Sequence, residues 1–205
     1  MENVLLISSG TVLDKAIRKE IVVNSNWHLT VFSADAESMG FDTQREKIIN
    51  KDVTKATEAD LDDLMIMQDL VVVAISKDVV KATKLVLKTM KKHDVKRIVF
   101  ASYMGMYEAT DSTKNSFKVS KEVLNEFHKA IKLVEKSGLN YTILRSDAID
   151  AGPVKYDVVI DDSPVESLTT SVTEIAQLIL RLLTEKNMYK DQSVSIGLPD
   201  PNKNK

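Results

Sequence analysis

Ser8-Ser9-Gly10-Thr11, with Asp14 three residues on, is the stretch of this chain best suited to chemistry. The apolar run Val4-Leu5-Leu6-Ile7 precedes it, and Val12, Leu13, Ala16, Ile17 and Ile21 follow at helical spacing. A strand, a tight turn and a helix in that order leave main-chain amides free at the positive end of a helix, which suits a phosphate or another anion. Gly10 is the one residue there that takes a positive φ without steric cost. Thr11-Val12-Leu13-Asp14 also fits a capping box, in which the helix satisfies its first amides with its own side chains. The two uses compete. An anion would lose an amide and meet a carboxylate, at a cost of roughly 2–3 kcal/mol. From a micromolar start, that raises a dissociation constant to about 30–150 μM. The same spacing recurs at Thr57…Asp60 and Ser171…Glu174, which favours the cap.

Composition narrows what else the chain can do. Without cysteine, disulfides, thiol catalysis and cysteine-ligated metal centres are excluded. His28, His93 and His128 are isolated and none falls in a metal-ligand spacing, so no metal site is expected. No Gly-x-Ser-x-Gly elbow supports nucleophilic hydrolysis. A net charge of −2, from 28 basic and 30 acidic residues, provides no global field for nucleic acid or an anionic membrane. The densest basic cluster, Lys88 to Arg97, falls at a predicted helix end, where cations offset the macrodipole. The opening residues read as neither signal peptide nor membrane span, so a cytoplasmic location is expected.

The elements that must position the turn alternate along the whole chain. Strands are expected at Val4–Ile7, Leu29–Phe32, Lys47–Ile49, Leu70–Ile75, Arg97–Ala101, Tyr141–Leu144 and Ser193–Ile196, with amphipathic helices between them. The pattern predicts an α/β fold, a doubly wound parallel sheet of about seven strands in the order 3-2-1-4-5-6-7, which is the Rossmann fold. At 205 residues and 43% apolar content, one domain is expected over residues 1–198, with a disordered tail at 199–205. Topology sets the crevice outside the carboxyl ends of strands one and four, along residues 8–13, 33–35, 52–53 and 74–77. Tyr107–Asn115 and Ala151–Leu168 read as irregular loops that rim it.

Three further blocks carry a family likeness. Lys96-Arg97-Ile98-Val99-Phe100-Ala101-Ser102-Tyr103-Met104-Gly105-Met106-Tyr107, Ser137-Gly138-Leu139-Asn140-Tyr141-Thr142-Ile143-Leu144-Arg145 and Asn50-Lys51-Asp52-Val53 resemble the fifth-strand, sixth-strand and adenine-side segments of atypical short-chain dehydrogenases, the NmrA-like NAD(P)-binding proteins. The resemblance runs from Val4 to about Gly197. It implies a dinucleotide, NAD or NADP, as ligand and a small molecule as substrate. Carried over by position, Ser8, Gly10, Thr11, Val12 and Leu13 line the phosphate turn, and Ser33, Ala34 and Asp35 face the adenosine ribose. Asp52 and Val53 contact adenine, and Ala74, Ile75 and Ser76 pass beside the dinucleotide. Ser102 and Tyr103 flank the nicotinamide, where Ser102 either hydrogen-bonds a substrate carbonyl or caps backbone.

The chain departs from that pattern in three places. The family turn Gly-x-x-Gly-x-x-Gly, or its form ending in Ala, falls on Ser8, Thr11 and Asp14, and none of the three is small enough to match. The Tyr-x-x-x-Lys acid/base pair has its nearest counterpart in Phe117-Lys118-Val119-Ser120-Lys121, and a phenyl ring donates no proton. Tyr103, Tyr107 and His128 remain as substitute donors. After strand two, Phe32-Ser33-Ala34-Asp35 carries no arginine, and Asp35 would repel a 2′-phosphate, which leans the choice toward NAD. Two functions follow as expectations. One is an oxidoreductase moving hydride between nicotinamide and a small carbonyl or conjugated substrate; the other is a non-catalytic dinucleotide sensor or protein-interaction module.

Overall fold

The computed structural model describes residues 2–36, 44–102, 120–149, 157–160 and 169–197. Uninterrupted apolar runs form strands covered on both faces. These are β1 (Asn3–Ser8), β2 (His28–Ser33), β3 (Glu46–Asn50), β4 (Leu70–Ala74), β5 (Arg97–Ser102), β6 (Asn140–Arg145) and β10 (Gln192–Gly197). They pair parallel in the order β3-β2-β1-β4-β5-β6-β10, which is the order expected from the sequence. One edge differs from that expectation. β8 (Asp157–Ile160) adds an eighth strand, antiparallel to β10, with Val194 opposite Ile160. So the stretch read as an irregular loop, Ala151–Leu168, supplies an edge strand. Nearby, β7 (Asp147–Ile149) and β9 (Thr169–Ser171) form a separate two-stranded parallel pair.

Alternation along the strands sorts the core into two layers. Leu5, Ile7, Val73, Phe100 and Ile143 face α2 (Glu58–Met65), α3 (Val79–Lys92) and α4 (Lys121–Glu135). Leu6, Val72, Val99, Leu144 and Val194 face α1 (Val12–Asn24) and α5 (Val172–Thr184), which also pack on each other. Each layer buries the helix stripe that the 3.6-residue period marks out.

Polar side chains then fix where the helices start and how they tilt. Ser171 accepts from the Glu174 amide at 3.2 Å, starting α5 where the spacing predicts. At Thr57 both the amide and the hydroxyl donate to the Asp60 carboxylate, at 2.8 and 2.7 Å. The basic cluster on α3 does more than offset a helix end. Lys88 pairs with Glu58, and Lys92 and His93 reach Asp62 at 2.6 and 2.9 Å, tying α3 to α2. On the other face, Arg18 of α1 grips Glu46 of β3 through two bonds of 2.5 and 2.8 Å, both side chains buried. That pair anchors the helix whose first turn forms the site.

Candidate functional site

The carboxyl ends of β1, β4, β5 and β6 open onto a cavity of about 280 Å³. Thr11, Val12, Leu13 and Asp14 wall it from α1, Ala74, Ile75 and Ser76 from β4, and Ala101 and Ser102 from β5. Phe127, Ser146 and Val172 close the far side.

Two bonds set the turn after β1 against the end of β4. The Ser9 amide donates to the Ala74 carbonyl at 3.3 Å, and Ser9 Oγ accepts from the Ser76 amide at 3.0 Å. Between Ser9 and Thr11 the chain reverses at Gly10, with φ +81°, and a Cβ there would stand 2.8 Å from Asp35 Cβ. Only glycine meets both demands.

Thr11 then caps α1 in the reciprocal arrangement that its spacing with Asp14 predicts. The Thr11 amide donates to Asp14 Oδ2 at 2.6 Å, and the Asp14 amide donates to Thr11 Oγ1 at 3.4 Å. Asp14 is fully buried, and its Oδ1 has no hydrogen-bond partner among the described residues. Burial pushes the carboxyl up from 3.8 to about 6, against the pull of the Thr11 amide and hydroxyl and of the Ser9 and Gly10 amides that face it.

Along the same sheet edge, Ser8 and Ser33 are buried, and Ser33 Oγ accepts from the Asp35 amide at 3.4 Å. Asp35 is half-exposed and lies 3.5 Å from Lys15 Nζ. The segment after β2 carries no arginine, and α1 supplies the cation instead, from twenty residues back in the chain. Ala34 sits in the turn between Ser33 and Asp35. Asp52 accepts from the Thr54 amide and hydroxyl at 2.9 and 2.8 Å, and these bonds hold its carboxyl below the usual range. Val53 is buried beneath it.

Of the residues expected from the sequence, the cavity gathers Thr11, Val12, Leu13, Ala74, Ile75, Ser76 and Ser102. Ser8, Gly10, Ser33, Ala34, Asp35, Asp52 and Val53 do not line it; Ser8 and Gly10 belong to the end of β1 and the turn after it, Ser33 ends β2, and the others follow β2 and β3. Tyr103 and Tyr107 lie outside the described residues. Ser146 and Phe127 are additions. Ser146 follows β6 as Ser102 ends β5, and its amide donates to the Ser102 carbonyl at 3.2 Å. Ser102 Oγ is buried, with no hydrogen-bond partner among the described residues. Among the described residues, no group of three or more metal-ligating side chains gathers, and no helix is long and apolar enough to cross a membrane.

Residues 15–186 match the family model described as NAD(P)H-binding. The chain belongs to the NAD(P)H-binding family. The matched span begins one residue after Asp14, so the altered turn lies just outside it. A Rossmann-fold NAD(P)-binding family protein from Shigella flexneri is similar at TM-score 0.81 and 24% identity, over 97% of this chain and 94% of that one. A wide-type short-chain dehydrogenase/reductase from Veillonella parvula, in complex with NADP, has TM-score 0.84 and 13% identity, over 98% and 95%. The oxidoreductase ylbE from Lactococcus lactis has TM-score 0.77 and 15% identity, over 97% and 91%. These likenesses establish the doubly wound fold. No curated protein matches the sequence.

The group this family is named for can be set against the residues present. At one end of the cleft the turn packs closely at Gly10, against Asp35, and at the other the Ser102 hydroxyl, without a partner among the described residues, fronts the cavity. Between them, the amides that a diphosphate uses in this fold face the Asp14 carboxyl.

Proposed function

We propose that the cleft takes a nicotinamide dinucleotide and that the protein is an oxidoreductase of the NmrA-like, atypical short-chain dehydrogenase type, acting on a small carbonyl or conjugated substrate. The observation that carries this reading is the cavity between the Gly10 turn and Ser102, at the switch point of a NAD(P)H-binding fold. In this reading Asp52 and Val53 hold adenine, Ser33, Ala34 and Asp35 the adenosine ribose, and Ala74, Ile75 and Ser76 the flank of the dinucleotide. Ser8, Gly10, Thr11, Val12 and Leu13 form the diphosphate turn. Asp35 favours a ribose hydroxyl over a 2′-phosphate, and Lys15 beside it keeps the preference for NAD modest.

The nicotinamide supplies the hydride chemistry when bound. Ser102 Oγ, buried and unpartnered, donates to the substrate carbonyl and orients it. Ser146 stands beside it as a second hydroxyl on the same cavity. Phe127 and Val172 exclude water from the far wall. Tyr103 and Tyr107, close behind Ser102 in the chain, are the proposed proton donors, because Phe117 replaces the usual tyrosine.

Loss of absorbance at 340 nm with a panel of quinones, aldehydes and flavins tests this. Turnover that falls in Ser102→Ala supports it; no turnover with any acceptor contradicts the catalytic part. A second reading, a dinucleotide sensor without turnover, is favoured by Asp14 seated in the turn. It predicts that NAD or NADP raises the melting temperature while no acceptor is reduced.

A further inference from the structure

Asp14 is the residue of the site whose position suits neither a plain helix cap nor an open anion cradle. A cap on a helix surface leaves its carboxylate in water, where the charge is inexpensive. Here the side chain is fully buried in the wall of the cavity, with Oδ2 on the Thr11 amide and Oδ1 satisfied by nothing. The amides of Ser9 and Gly10 face the same carboxyl. A buried carboxylate oxygen without a partner is costly, and protonation of the group relieves that cost.

Resting on the reading that the cleft takes a dinucleotide, we infer that Asp14 is an internal competitor for the diphosphate, operated by a proton. Charged, it holds the amides of the turn and repels the ligand's phosphates. Protonated, it is neutral, binds the amides weakly, and yields them. Three features support the assignment. The first is the location: the third small position of the family turn falls on Asp14, the first residue of the turn's helix to carry a charge. The second is that the charged groups on the neighbouring described elements have partners of their own. Lys15 pairs with Asp35 at 3.5 Å, Arg18 with Glu46 at 2.5 Å, Glu174 of α5 with Ser171, and Lys77 beyond β4 acts on Asp52. From the strand ends, Ala74, Ile75, Ser76 and Ser102 bring no titratable group. The third is that the carboxyl is raised to about 6, so the switch falls just below neutral pH.

The sign follows from the charge. Affinity for the dinucleotide is high below the Asp14 transition and falls as pH rises through it. Because the ligand favours protonated Asp14, binding raises the carboxyl further and takes up a proton.

The test is calorimetric titration of NAD⁺ into the full chain and into Asp14→Asn and Asp14→Gly, at pH 5 and pH 8. For the native chain, affinity is expected to be weaker at pH 8 by about tenfold or more. Both variants are expected to bind alike at the two pH values, and at pH 8 to exceed the native chain by about tenfold. Thermal transitions of the variants verify that each is folded, and glycine is one of the two small residues that the family turn carries at this position. Equal affinity of all three proteins at both pH values overturns the inference and leaves the dinucleotide reading intact. Absence of binding in every protein at either pH overturns both.

Discussion

Thr11 and Asp14 satisfy each other across the first turn of α1: the amide of Thr11 donates to Asp14 Oδ2 at 2.6 Å, and the amide of Asp14 donates to Thr11 Oγ1 at 3.4 Å. In this fold the same end of the same helix is the anion site. A local motif worth about 1 kcal/mol in an ordinary helix thus occupies the helix end that this fold uses for anions.

The buried Asp14 carboxyl links stability to pH. Its folded value of about 6 lies above the ordinary 3.8, so the folded chain holds the proton more tightly. The stabilisation from protonated Asp14 is complete below 3.8 and is lost as pH rises through about 6. At neutral pH that loss amounts to about 3 kcal/mol. Asp14→Asn, which keeps the shape and loses the charge, is therefore expected to melt above the native chain at pH 8, with the advantage vanishing toward pH 4. Melting curves across that range check it.

Gly10 is expected to tolerate no side chain. Alanine there takes a left-handed backbone and drives its Cβ to 2.8 Å from Asp35 Cβ. The cost is about 2 kcal/mol or more in urea unfolding. Adding Asp35→Gly removes the clash and leaves the backbone strain, so only part of the loss returns.

The Arg18–Glu46 pair is expected to hold α1 against the β3 edge. Glu46→Ala removes two bonds to a buried guanidinium and costs about 3 kcal/mol. A paired Arg18→Met, Glu46→Leu variant recovers most of that in the same urea titration, because no charge then remains to be solvated.

Ser102→Ala removes a hydroxyl that has no hydrogen-bond partner among the described residues. Its melting temperature is expected to stay within about a degree of the native value, while turnover falls by about ten- to a hundredfold. A stability loss without a turnover loss would assign Ser102 to the scaffold instead.

Much of this molecule is legible in its sequence, for reasons that differ by element. Runs such as Leu70–Ile75 and Arg97–Ala101 can form only doubly covered strands, so the seven-strand parallel order follows from alternation with helices. Asp157–Ile160 escapes because a four-residue segment carries too little pattern of its own and is a strand through its pairing with β10. The reciprocal cap of Thr11 and Asp14 is readable because both partners lie within one turn. Lys15 beside Asp35, and Arg18 against Glu46, are not, since each pair is joined only when β2 and β3 pack along α1. Phe127 shows why a helical stripe is ambiguous: it belongs to the core and to the cavity wall at once. Ser146 was within reach, because strand ends in this fold face the crevice and it follows β6 directly.

In the proposed reading the polypeptide's own carboxylate stands in the anion site. Carbon-13 NMR of the Asp14 carboxyl, titrated with and without NAD⁺, tests this directly. A midpoint near 6 is expected in the free protein, moving upward when NAD⁺ is added. A midpoint at the ordinary aspartate value, unmoved by saturating NAD⁺, would contradict it.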